Sequence, residues 1–132
     1  MATIDQISQL ILDRLERAGC TASGQIELLA RYIELLGKWN RKINLTSLNV
    51  DEPDDEAIDR LIVEPVVAAS LVVQDGISIV DIGSGGGSPA IPFRIMLGSS
   101  RITLIESRSK KCAFLRQAIR ELGLDGSSVE AC

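Results

Sequence analysis

Residues 77–87 read Ile77-Ser78-Ile79-Val80-Asp81-Ile82-Gly83-Ser84-Gly85-Gly86-Gly87. The first six are dominated by β-branched side chains, the composition of a short buried parallel strand. The glycine-rich run behind them lets the backbone take positive φ and approach a ligand closely. Ser88-Pro89 is expected to open a helix, the serine as cap and the proline in its first turn. Ile91, Phe93, Ile95 and Met96 are that helix's apolar positions, and Gly98 ends it. Arg101-Ile102-Thr103-Leu104-Ile105-Glu106 reads as a second strand. Ser109 is expected to cap a further helix with Leu115, Ala118, Ile119 and Leu122 inward and Gly123 as its stop. Ser127 to Cys132 reads as the start of a third strand. The order β-α-β-α-β is the first half of a doubly wound, Rossmann-like sheet. Such a sheet ordinarily continues beyond its first strand, so that strand is expected to show a bare apolar edge. The expectation is a truncated chain, or an edge covered by another chain, self-association included.

Ahead of this unit the periodicity is helical. Thr3 and Gln6 have the spacing of a capping box, and Ile4, Ile7, Leu10, Ile11 and Leu15 form one stripe that Gly19 stops. A second helix is expected from a Ser23 cap to about Arg41. Its stripe of Ile26, Leu29, Ala30, Ile33 and Leu36 is broadened by Leu28, Tyr32, Leu35 and Trp39, which predicts burial on two sides. Ile43-Asn44-Leu45-Thr46 looks extended. The acidic stretch 51–56 reads as a solvated loop opening a helix, where the macrodipole favours negative charge, with a metal site as the minor alternative. A short helix then runs to about Glu64, and Pro65 fits the first turn of the next. The chain is expected to divide into a helical subdomain at 1–75 and a partial α/β domain at 76–132.

Composition narrows the chemistry. With 45% apolar residues in 132, the chain is no disordered segment, and its uncharged apolar stretches are too short to span a bilayer as helices. It has no histidine, which removes His-based triads and imidazole metal sites. Fourteen Lys and Arg against 18 Asp and Glu give a net charge of −4, which weighs against wholesale attraction to phosphate but not against a local basic patch. Cys20, Cys112 and Cys132 form no CxxC, which disfavours a zinc ribbon or a redox pair. The N-terminus lacks the pattern of a signal peptide, so a soluble, reduced, cytoplasmic protein is expected, with no membrane partner and no metal.

Two features carry the chemistry. The glycine turn joins a strand to a helix at the carboxyl edge of the sheet, where such folds bind ligands. Glu106, at the end of the next strand, has the acidic side chain that accepts hydrogen bonds from both ribose hydroxyls of a nucleoside. Together they point to a nucleoside-containing cofactor. A dinucleotide fingerprint places a glycine where Ser88 stands, which weakens a NAD-dependent oxidoreductase reading. Asp81 suits a cofactor with positive charge near the turn, as S-adenosylmethionine has in its amino group. The lack of G-K-[ST] excludes a P-loop. A non-catalytic nucleoside-binding or interaction module stays open.

Three segments resemble the GidB/RsmG family of bacterial 16S rRNA guanine-N7 methyltransferases over about residues 25 to 130. They are Tyr32-Ile33-Glu34-Leu35-Leu36 with Trp39-Asn40-Arg41-Lys42-Ile43-Asn44-Leu45-Thr46, then Val80 to Pro92, then Glu106-Ser107 with Lys110 to Arg116. The resemblance implies a class I S-adenosyl-L-methionine-dependent methyltransferase acting on 16S rRNA or the small ribosomal subunit. It implies that Gly83, Ser84, Gly85 and Gly87 line the cofactor with Asp81 nearby, and that Glu106 holds the ribose. It places Asn44 and Thr46 near the cofactor and the substrate pocket, with Arg60 as a further candidate for phosphate or substrate contact, and Lys110 and Lys111 toward RNA phosphate or the pocket rim. Where the family has Arg-His before a Leu-Asp-Ser segment, this chain has Arg60-Leu61-Ile62-Val63-Glu64-Pro65. The family's Arg-Ala-Glu loop beyond the third strand has no counterpart here. Lys38, Arg41, Lys42, Arg101, Arg108, Lys110 and Lys111 are expected to form a basic patch on the carboxyl edge of the sheet. Methylation at guanine N7 uses an existing lone pair, so positioning can supply most of the rate without a catalytic base.

Overall fold

A computed structural model describes residues 1–22 and 24–132. The expected Ser23 cap lies outside the described residues. Helix α1, Ile4–Arg17, opens with the capping box: Thr3 Oγ1 accepts from the Gln6 N–H at 3.1 Å and Gln6 Oε1 from the Thr3 N–H at 2.9 Å. It buries Ile7, Ile11 and Leu15 against α2, Ile26–Asn40. Two faces of α2 are indeed buried. Leu29, Ala30, Tyr32, Ile33, Leu35 and Leu36 are all inside, because α1 packs on one side and the α/β unit on the other. Trp39 near its end meets Phe114 edge-on, ring centroids 5.8 Å apart at 64°, a geometry that the ring quadrupoles favour.

Residues 43–46 form an irregular segment that pairs with no strand. Asp54 then caps α3, Asp55–Ile58, its carboxylate accepting from the Ala57 N–H at 2.9 Å. A π-helical turn, Asp59–Val63, runs directly into α4, Glu64–Ser70, with Pro65 in its first turn. The acidic stretch is taken up by structural partners. Asp51 pairs with Arg41 at 2.6 Å, Glu52 with the Met1 amino group at 2.5 Å and Asp55 with Arg14 at 3.3 Å.

The sheet has three parallel strands in the order β1-β2-β3: Ser78–Ile82, Arg101–Glu106 and Ser127–Ala131. Between them run α5, Ala90–Met96, and α6, Ser109–Leu122, closed by Gly123 in the left-handed region at φ 64°. Register places Ile79, Asp81, Ile102, Leu104, Glu106 and Val129 on the face that the helices cover. Val80 and Ile82 on the opposite face of β1 stay 62% and 80% exposed. β1 is an edge strand, as expected, and its exposed apolar side chains lie on the face that no helix covers.

Two predicted caps are absent. Ser88 turns away to donate to the Leu61 carbonyl at 3.1 Å, and Pro89 precedes the first residue of α5. Ser109 is the first helical residue of α6, and Arg108 occupies the cap position. One hydrophobic cluster runs from Ala2 through the helices and the sheet to Leu124. Among the described residues no helix is long and apolar enough to cross a membrane.

Candidate functional site

The site grows from the carboxyl ends of β1 and β2. At the end of β1 the chain turns sharply through Gly83, Gly85 and Gly87, with φ of 74°, 53° and 89°. The turn is tied to the neighbouring strand, since the Gly83 and Ser84 N–H groups both donate to the Ile105 carbonyl at 2.8 and 3.2 Å. Ser84 Oγ donates back to the Asp81 carbonyl at 3.1 Å, and the Gly87 N–H to the Ser84 carbonyl at 2.8 Å.

Glu106 closes this loop from the side. It is buried, at 6% exposure. Oε1 accepts from the Gly85 N–H and Oε2 from the Arg108 N–H, each at 2.8 Å. Its pKa lies below the ordinary glutamate value, chiefly because of the Arg108 N–H bond, helped by the Gly85 N–H and by the charge of Lys111, with burial opposing. A carboxylate offers about four lone-pair sites, so two backbone bonds leave acceptor capacity for ligand hydroxyls. Asp81 shares the helix-covered face with Glu106, two residues back in register. Its Oδ2 is buried with no partner among the described residues. An orphaned buried carboxylate oxygen is costly unless a donor completes it, and an ammonium group is such a donor. The unpartnered Asp81 oxygen and the remaining acceptor capacity of Glu106 therefore fit the donor groups that S-adenosylmethionine carries, an ammonium and ribose hydroxyls.

Beside the loop an open cavity of about 620 Å³ is lined by Lys42, Ile43, Asn44, Arg108, Ser109, Lys110 and Lys111. Four of these are cations and none is acidic. The broad basic patch expected from sequence shrinks to this cluster. Arg101 stands at the other end of β2, roughly 16 Å along the strand from Glu106, and lines a different cavity with Arg94, Leu122 and Asp125. Arg41 is committed to Asp51, and Lys38 lies in a neighbouring hollow with Trp39 and Glu121. Asn44 reaches the basic cavity. Thr46 instead stabilises its own turn, Oγ1 accepting from the Leu48 N–H at 3.2 Å. Arg60 is exposed, 3.8 Å from Glu56, on the rim of a third cavity with Glu64, Ser88 and Pro89.

A profile of the GidB family, described as rRNA small subunit methyltransferase G, matches residues 25–131. The chain belongs to the GidB family. Two relatives carry the name ribosomal RNA small subunit methyltransferase G. That of Nitrosomonas europaea is 44% identical over 104 residues, covering 77% of this chain and 45% of the relative. That of Neisseria meningitidis serogroup C is 39% identical over 122 residues, covering 86% and 56%. The chain thus spans about half the length of the curated relatives it matches. Among solved structures, coclaurine N-methyltransferase bound to N-methylheliamine and SAH superposes with a TM-score of 0.49 at 18% identity, over 99% of this chain and 47% of that one.

Two residues of the GidB motif, which the sequence presents only as core or loop, prove to hold the site together. Tyr32 is fully buried and donates from its hydroxyl to the Gly86 carbonyl at 2.6 Å. Asn40 Oδ1 accepts from the Leu45 and Thr46 N–H groups at 2.8 and 3.0 Å. The signal available in sequence is the W-N-x-x-x-N-L-T spacing, because an Asn followed by an irregular segment commonly caps the backbone ahead of it.

Proposed function

We propose that this chain forms the cofactor-binding half of an S-adenosylmethionine-dependent methyltransferase that modifies N7 of a guanine in 16S rRNA of the small ribosomal subunit, in the cytoplasm. The observation that carries the reading is Glu106, which bridges the glycine loop and the start of α6 while keeping acceptor sites for a ribose. Membership of GidB supplies the reaction class. S-adenosylmethionine, when bound, supplies an electrophilic methyl group on a sulfonium. Gly83, Ser84, Gly85 and Gly87 let the backbone approach it, Asp81 accepts from its ammonium, and Glu106 fixes its ribose. Lys42, Arg108, Lys110 and Lys111 hold phosphates of the substrate, and Asn44 stands where a base would enter. Because the N7 lone pair is already nucleophilic, these residues need only orient and hold.

Calorimetric titration of the chain with S-adenosylmethionine and S-adenosylhomocysteine, with NAD as control, tests the cofactor. Micromolar binding of the first two, abolished in Glu106→Ala, supports it, and binding of NAD alone would replace it with an oxidoreductase. The RNA side is tested by Lys110→Glu with Lys111→Glu. Affinity for a 16S rRNA fragment should fall, and its salt slope should drop by about 0.7 to 0.9 for each phosphate no longer neutralised. An unchanged slope removes the patch from the reading. The unpaired edge of β1 is where two copies would meet by strand pairing.

A further inference from the structure

Tyr32, Leu36 and Asn40 stand four residues apart on α2 and so share one helical face across two turns. Each is engaged with one of the two loops that build the site. The Tyr32 hydroxyl donates to the Gly86 carbonyl at 2.6 Å. Leu36 lies against Gly86 itself: a Cβ there would stand 3.3 Å from Leu36 Cδ1 and 3.4 Å from the Leu45 carbonyl oxygen. Asn40 Oδ1 holds the Leu45 and Thr46 amides at 2.8 and 3.0 Å. Glycine loop, helix face and segment 43–46 therefore pack as one closed unit, with Leu45 touching both loop and helix. Packing alone does not account for the polar atoms. A phenylalanine fills the same buried space as Tyr32, and a buried hydroxyl is costly unless it makes a bond. Here that bond goes to a loop carbonyl 54 residues away. Burial pushes the phenol pKa upward, so the group remains a donor across the working range.

We propose that Tyr32 and Asn40 are positioning residues that fix the glycine loop and segment 43–46 in one relation, so that the cofactor loop and the basic cavity are built as a unit. The ligands of the two loops rest on the function proposed above, whereas the positioning does not. The test is amide hydrogen exchange on the 132-residue chain, followed at Gly85, Gly87, Leu45 and Thr46, with Leu115 and Ala118 of α6 as internal reference. Tyr32→Phe is expected to speed exchange at Gly85 and Gly87 about fivefold, the effect of removing one ordinary hydrogen bond, and to leave α6 unchanged. Asn40→Leu should speed Leu45 and Thr46 by a similar factor, and Asn40→Asp, which keeps an acceptor oxygen, should restore them. Exchange in Tyr32→Phe that matches wild type at Gly85 and Gly87, or rises equally in α6, overturns the proposal. So does failure of Asn40→Asp to rescue. Titration of the same proteins with S-adenosylhomocysteine separates the two ideas. Loop exchange that responds to Tyr32→Phe in a chain that binds no S-adenosylhomocysteine upholds positioning and refutes cofactor binding by this chain alone.

Discussion

Gly83 and Gly87 both have positive φ, 74° and 89°, yet alanine would meet different surroundings at the two positions. At Gly83 an added Cβ finds nothing within 4 Å. Gly83→Ala therefore bears the backbone cost alone, about 1–2 kcal/mol for an L-residue in the left-handed region, offset by about 0.4–1 kcal/mol from a stiffer unfolded chain. At Gly87 the Cβ would lie 2.5 Å from Ile91 Cδ1, 3.1 Å from Ile91 Cγ1 and 3.3 Å from Leu115 Cδ2. Overpacking of that kind adds about 1–3 kcal/mol. Because Ile91 is fully buried in the core, its side chain has little room to swing away. Urea unfolding should thus show Gly87→Ala less stable than Gly83→Ala by about 1–3 kcal/mol, with unchanged m-values. Ile91→Val removes the closest atom, so Gly87→Ala should cost less in that background, a coupling that a double-mutant cycle reads directly. Equal destabilisation at the two glycines, or additivity with Ile91→Val, would refute the reasoning that Gly87 is needed for close packing as well as for its backbone.

Three further outcomes follow from the same geometry. The Glu106 pKa is depressed in the folded state, so its contribution to stability is full above the ordinary value of 4.5 and disappears as pH falls through the folded value. Thermal midpoints taken from about pH 7 to about pH 3 should fall more steeply for wild type than for Glu106→Gln, and parallel curves would contradict the two N–H bonds. Thr3→Ala removes one half of the capping box and should destabilise by about 1 kcal/mol in urea, with Thr3→Ser close to wild type. Ile82→Lys, at a side chain 80% exposed, should change stability by no more than about 0.5 kcal/mol. If two copies pair along β1, the same substitution should lower the sedimentation-average mass at high concentration.

Much of the architecture is legible in the sequence because the relevant signals are local. Thr3 and Gln6 are three residues apart, Gly123 directly follows the last turn of α6, and the change from helical to strand periodicity at residue 77 needs only neighbours. The glycine loop and Glu106 are legible for a similar reason, since a strand end followed by a turn defines one edge of the sheet. What local signals miss is long-range. Ser88 has the composition of a cap, but its hydroxyl is drawn to the Leu61 carbonyl, 27 residues earlier. Ser109 lies one residue inside α6, because the first helical bond runs from the Cys112 N–H to the Arg108 carbonyl at 2.9 Å. Arg101 does not belong with Arg108, since it opens β2 while Arg108 follows its end, a separation that the rise of about 3.3 Å per strand residue already implies. Tyr32 counts only toward an apolar stripe, since nothing near it in sequence shows that its hydroxyl meets Gly86.

The one-sided sheet has a geometric consequence. Right-handed crossovers send α5 and α6 to the same face while the strands march from β1 to β3 in one direction. Any strand joined on the free side of β1 must march the opposite way, and its crossover helix then falls on the other face. With such a strand joined, the two directions would diverge over the carboxyl end of β1 and form a topological switch point, the place where open α/β sheets bind ligands. Gly83 to Gly87 would then line that divide.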